Sequence, residues 1–147
     1  MVQEAWVSGL FLFEKKGEPG REVASAVFVK DLGMEGDRHA RGGDRQVTLL
    51  QAEVMRWMEA APMKGLCFKR YKANLEIEGL TEELLQPGTR LQLGTATLQV
   101  SESAKACFPK CPLLEEKRPC KLAGGAVCLR VVGSGLVNKN DKIVIIA

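Results

Sequence analysis

Between Arg90 and Val100 the chain alternates: Leu91 and Leu93, then Ala96, Leu98 and Val100, fall on one side, with Gly94-Thr95 between the two runs. A repeat of two is the mark of a half-buried strand, because successive side chains leave a pleated backbone on opposite faces. The glycine-containing break turns the two runs into an antiparallel hairpin. Short apolar runs of the same kind recur at Val7 to Phe13, Val23 to Val29, Val127 to Val132 and Lys142 to Ile146. Turn formers separate them, at Glu14 to Gly20, Gly133-Ser134-Gly135 and Asn138 to Asp141. In the second run Val27 and Val29 share one face and Phe28 takes the other, and the first two runs suit a hairpin. Many short strands predict a mostly β domain, a compact barrel-like or sandwich fold.

One stretch breaks the pattern. Thr48-Leu49-Leu50-Gln51 has the spacing of a capping box, and Leu50, Val54, Trp57, Met58 and Ala61 follow at helical intervals until Pro62. The spacing predicts one main helix with Trp57 and Met58 on its core face. Asn74 to Ile77 reads as a short strand, and Thr81 to Leu85 as one helical turn with Thr81 as its cap. Pro87-Gly88 then makes a turn, and the charged stretch Glu115 to Lys121 reads as a surface loop.

At 147 residues and 46% hydrophobic, the chain suits a single domain, residues 1–147, with its own core. A net charge of +3 without long runs of one sign argues against a nucleic-acid partner. The apolar run at Trp6 to Phe13 lacks the basic flank and cleavage site of a signal peptide, and nothing approaches the roughly 18 apolar residues of a membrane span. Five cysteines, an odd number, favour reduced thiols and a cytoplasmic location over a disulfide framework.

Two stretches carry chemistry. Ala104 to Cys111 places Cys107 between Lys105 and Lys110, with Pro109 stiffening the segment. Neighbouring cations favour the thiolate, the form that attacks electrophiles and binds metals. Cys107 and Cys111 form C-x3-C, which is neither a zinc knuckle with Cys120 and Cys128 nor a redox C-x-x-C. Cys67 and Cys128, set among apolar residues, read as small buried hydrophobes. Upstream, Gly33 to Arg45 holds four glycines and three arginines, Arg38, Arg41 and Arg45. Glycines let backbone N–H groups come close to an anion, and arginine forks grip it. His39, between Arg38 and Arg41, is disposed to stay neutral.

At these residues the sequence resembles the MOSC domain family, named for the carboxy-terminal domain of molybdenum cofactor sulfurase. The resemblance rests on four blocks in order: Met34 to Ala40, Arg45 to Leu50, Asn74 to Leu80, and Pro87 to Gly94 leading to Lys105 and Cys107. Small stand-alone members are the nearest in kind. The chain departs from the family pattern at Ala73, Ala106 and Cys128. The resemblance implies a molybdenum cofactor (molybdopterin), with a family association with pyridoxal phosphate binding. It implies Cys107 as the catalytic residue and metal ligand, ligating molybdenum or carrying a persulfide. It also implies Gly36, Asp37, Arg38, His39, Arg45, Asn74 and Lys105 as cofactor-binding residues. Reduction of N-hydroxylated compounds and sulfur transfer are both open, with electron-transfer or cofactor-biosynthesis proteins as partners. The alternatives are non-catalytic delivery or storage of the cofactor, and a zinc or thiol regulatory domain.

Overall fold

The computed structural model describes residues 4–15, 20–38, 40–43, 45–60, 73–102 and 126–146. Among them, one sheet runs in the order β11 (Ile143–Ile146), β7 (Arg90–Leu93), β8 (Ala96–Glu102), β9 (Ala126–Gly133), β5 (Val47–Gln51), β6 (Leu75–Glu78), β1 (Trp6–Leu12), β2 (Arg21–Val23). A second sheet has the order β10 (Gly135–Asn138), β3 (Ser25–Val29), β4 (Gly33–Met34). The class is mostly β, as the alternation predicts. The β7–β8 hairpin pairs Leu91 with Leu98 and Leu93 with Ala96, both sides of each pair being buried.

The expected barrel does not close. Where β1 meets β2, at Leu10 to Leu12, its outer edge is already taken, so only its first residues can reach the other end of the sheet. There an isolated bridge joins Trp6 to Lys142, and Val7 N–H donates to the Asp141 carbonyl at 2.9 Å. The second apolar run also differs from expectation. It divides at Ala24 into β2, which does pair with β1, and β3, which joins the small sheet through β10. Phe28, the odd residue of that run, is fully buried, whereas Val27 on the other face is exposed.

Both sheets share one core. Phe28, Met34 and Val137 from the small sheet pack with Leu10, Leu49, Leu75, Leu98 and Leu129 from the large one. Each such side chain contributes about 1.5–3 kcal/mol when fully withdrawn from water.

The expected capping box is replaced by strand. Val47 to Gln51 form β5, parallel to β6 and antiparallel to β9. Val47 and Leu49 belong to the shared core, and burial there together with pairing on both edges overrides a local cap. Helix α1 (Ala52–Ala60) starts only after β5, and Val54 and Met58 pack with Leu50 on the opposite face of the sheet. Trp57 is half-buried against that small cluster, which agrees with a packing role. Thr81 accepts from Leu84 N–H at 3.0 Å, opening the single 3₁₀ turn Glu82–Leu84.

Candidate functional site

The arginine-bearing loop leaves the small sheet at β4 and enters the large sheet at β5. Its glycines bend it. Gly36, Gly42 and Gly43 have φ of +87°, +78° and +78°, in the left-handed region where only glycine is at ease. Backbone bonds close the turns: Asp37 N–H donates to Met34 O at 3.0 Å, Ala40 N–H to Asp37 O at 3.1 Å, and Gly42 N–H to Leu32 O at 3.2 Å.

Two buried side chains pin this loop to the sheet. At its far end the Gln46 Nε2 donates to Gly43 O at 2.8 Å, while Gln46 Oε1 accepts from Val131 N–H at 3.0 Å. Near its start the Asp37 Oδ1 accepts from Phe13 N–H at 2.8 Å and from Asn74 Nδ2 at 2.9 Å. The adjacent Arg38 N–H donates to Phe13 O at 2.8 Å. A buried carboxylate with two such donors is held by charge-assisted bonds, the stronger kind.

Asn74 is the centre of this arrangement and has no exposed surface. Its Nδ2 also donates to Phe11 O at 3.1 Å, and its Oδ1 accepts from Thr48 N–H at 3.1 Å and from the Thr48 hydroxyl at 3.2 Å. The backbone joins in: Asn74 N–H donates to Thr48 O at 3.0 Å, and Phe11 N–H to Asn74 O at 2.8 Å.

Of the residues expected in the cofactor set, the fold therefore brings Asp37 and Asn74 into direct contact beneath the loop. Gly36 and Arg45 are exposed and Arg38 is half-buried on the same loop. His39, Lys105 and Cys107 lie outside the described residues, as do Cys67, Cys111, Cys120 and the Glu115 to Lys121 stretch. Cys128 is within them and corrects one expectation. It is half-buried, on the face of β9 opposite to Val127 and Leu129, and is not part of the core. Thr48 and Gln46 also bond within this arrangement, and neither was expected in the site. The Arg45-Gln46 step was the available signal for Gln46, whereas a capping reading hid Thr48.

The donor chemistry of the loop suits an anion. Three arginines ride on backbone opened by left-handed glycines, and a Cβ at Gly43 would meet no atom within 4 Å, so the backbone there is open to approach. Among the described residues, no group of three or more His, Cys, Asp or Glu is placed to hold a metal ion, and no helix is long and apolar enough to cross a membrane.

A mostly β fold of two sheets on one core, with a pinned glycine and arginine loop, defines the class. The MOSC domain family model matches residues 36–144, and the chain belongs to that family. Among solved structures it is similar to the YuaD protein from Bacillus subtilis, with a TM-score of 0.70 at 18% identity over 95% of this chain and 94% of that one. It is also similar to YiiM from Geobacillus stearothermophilus, with a TM-score of 0.65 at 18% identity over 97% of this chain and 75% of that one. For YiiM from Escherichia coli the TM-score is 0.62 at 19% identity, over 97% and 70% of the two chains. No curated protein sequence gives a significant match.

Proposed function

We propose that this chain binds a molybdenum–pterin cofactor and uses Cys107 as the thiol that ligates molybdenum or carries transferable sulfur. One observation supports this reading above the rest: within the span matched by the family model, Arg38, Arg41 and Arg45 ride on a left-handed glycine loop fixed to the sheet by buried side chains. A fixed loop binds more tightly than a floppy one because less ordering entropy is lost on binding. When bound, the group supplies two-electron chemistry at molybdenum. The chain supplies the grip: arginine guanidinia for the phosphate, and a soft sulfur ligand from Cys107. Reduction of N-hydroxylated compounds and sulfur transfer are the two activities that this donor set serves, in company with electron-transfer or cofactor-biosynthesis partners.

The test is metal analysis and pterin fluorescence of protein purified from cells that make the cofactor, wild type beside Cys107→Ser. Serine keeps the size but is a hard oxygen donor that forms no persulfide. Molybdenum and pterin in the wild type, with molybdenum ligation or transferable sulfur lost in the variant, is the expected result. Zinc without pterin in the wild type would refute the proposal in favour of a regulatory thiol domain. Turnover with an N-hydroxylated substrate then divides a reductase from a protein that only delivers the cofactor.

A further inference from the structure

An amide side chain has two N–H donors and one oxygen with two lone pairs. In Asn74 all of this capacity is used by the protein: Nδ2 on Phe11 O and Asp37 Oδ1, and Oδ1 on the N–H and hydroxyl of Thr48. A buried amide so engaged has nothing left with which to grip a ligand. Its orientation is also fixed. Turned over, it would set its NH₂ against the Thr48 N–H and its oxygen against the Asp37 carboxylate, two repulsive contacts in place of two bonds.

The position of this network in the sheet matters. Thr48 pairs with Cys128 across β5 and β9, and Cys128 pairs with Glu102 across β9 and β8. On the other side Asn74 bonds through its backbone to both Thr48 and Phe11. One row of residues thus crosses the sheet from Glu102, at the end of the strand that leads in sequence to Cys107, to Phe11 in β1, two residues before the Phe13 that holds Asp37.

We infer that Asn74 is a positioning residue, oriented by Thr48, which acts through Asp37 to set the arginine loop in its ligand-binding form. The inference rests on the cofactor reading for the identity of the ligand, but not for the latch itself. Deleting the Thr48 hydroxyl removes a donor to Asn74 Oδ1 and an acceptor of Asn74 N–H, at 3.2 and 3.0 Å. The amide then holds Asp37 less firmly, and the loop samples forms other than the pinned one.

The test uses Thr48→Val, which keeps the shape and loses the hydroxyl, Thr48→Ser, which keeps the hydroxyl, and Asn74→Ala. Limited trypsin digestion of the folded proteins reads the loop directly, because Arg38, Arg41 and Arg45 are cleavage sites within it and Lys139 in the β10–β11 turn is an internal reference. Thr48→Val is expected to raise loop cleavage relative to Lys139 and to weaken cofactor binding, each by about tenfold, the equivalent of one hydrogen bond. Thr48→Ser should match the wild type in both. A lower melting temperature in Thr48→Val with the cleavage ratio and the affinity of the folded protein unchanged would make the network merely structural and overturn the inference. Should Asn74→Ala fold poorly, the serine and valine pair still decides. If the wild type takes up no cofactor while Thr48→Val still opens the loop, the latch stands and the cofactor reading falls.

Discussion

Thr48 and Cys128 face each other across the β5–β9 ladder, so the Cys128 side chain shares its face of the sheet with a hydroxyl and not with the leucines of the core. A cysteine read from sequence as a buried hydrophobe is thereby moved to a half-polar setting. Changing it to serine there deletes little packing, and the hydroxyl gains access to polar surroundings. Cys128→Ser should cost no more than about 1 kcal/mol in urea unfolding and leave cofactor content unchanged, since substitutions outside the core and away from special backbone have small effects. A loss of several kcal/mol would mean that the sulfur is packed as tightly as a core side chain.

The glycines of the loop divide into two kinds, and substitution should separate them. At Gly33, with φ of +137°, an added Cβ would come within 2.9 Å of the Gln46 carbonyl oxygen, so alanine there meets both a strained backbone and a clash. At Gly43, with φ of +78°, the added Cβ meets nothing, and only the left-handed conformation is penalised. Gly43→Ala should therefore lower stability by about 1–2 kcal/mol, and Gly33→Ala by clearly more, as read from denaturant midpoints. Equal losses would show that the loop relaxes around Gly33.

Asn74→Asp tests the carboxylate contact. A new carboxyl would replace the amide donor 2.9 Å from the Asp37 oxygen, inside a buried site. Two carboxylates at that distance resist ionising together, so the pair's folded-state pKa rises above its unfolded value near 4. The sign follows directly. Below the unfolded pKa both states are protonated and the variant bears no electrostatic penalty. The penalty grows as the pH climbs through the raised folded pKa and is complete above it. At pH 7 the variant should be about 3 kcal/mol less stable than the wild type, with the gap narrowing toward pH 4. A gap that does not change with pH would show that the second carboxyl has found another partner.

What could be read in advance follows from how local each signal was. The β7–β8 hairpin was legible because its alternation is complete within one stretch and its turn sits between the runs. The β5 strand was not, since Val47 to Gln51 takes its conformation from β6 and β9, which lie far away in sequence. The small sheet was hidden for a similar reason: β4 spans only Gly33–Met34, and β10, Gly135–Asn138, is only four residues long between two turns. The motif residues Asp37 and Asn74 could be picked out as a set. Their mutual contact, and the Thr48 bonds that orient it, depend on a fold that brings residues 37, 48 and 74 together.

The last comparison sets two arginines against each other. Arg45 is exposed on the glycine loop, within the matched family span. Arg56, on α1, is bound to Glu78, whose hydrogen bond and charge raise the guanidinium pKa. It lies on a different element from the loop. Arg45→Ala should weaken cofactor binding by about ten- to hundredfold, the loss of one charge-assisted hydrogen bond, with little change in melting temperature. Arg56→Ala should leave binding unchanged and, since exposed ion pairs contribute little, move stability only slightly. Raising the salt concentration should erode the wild-type affinity more than that of Arg45→Ala, because the missing interaction is electrostatic and screened. Equal loss of binding in both variants would point to overall positive charge as the attraction, and would remove the loop from its assigned role.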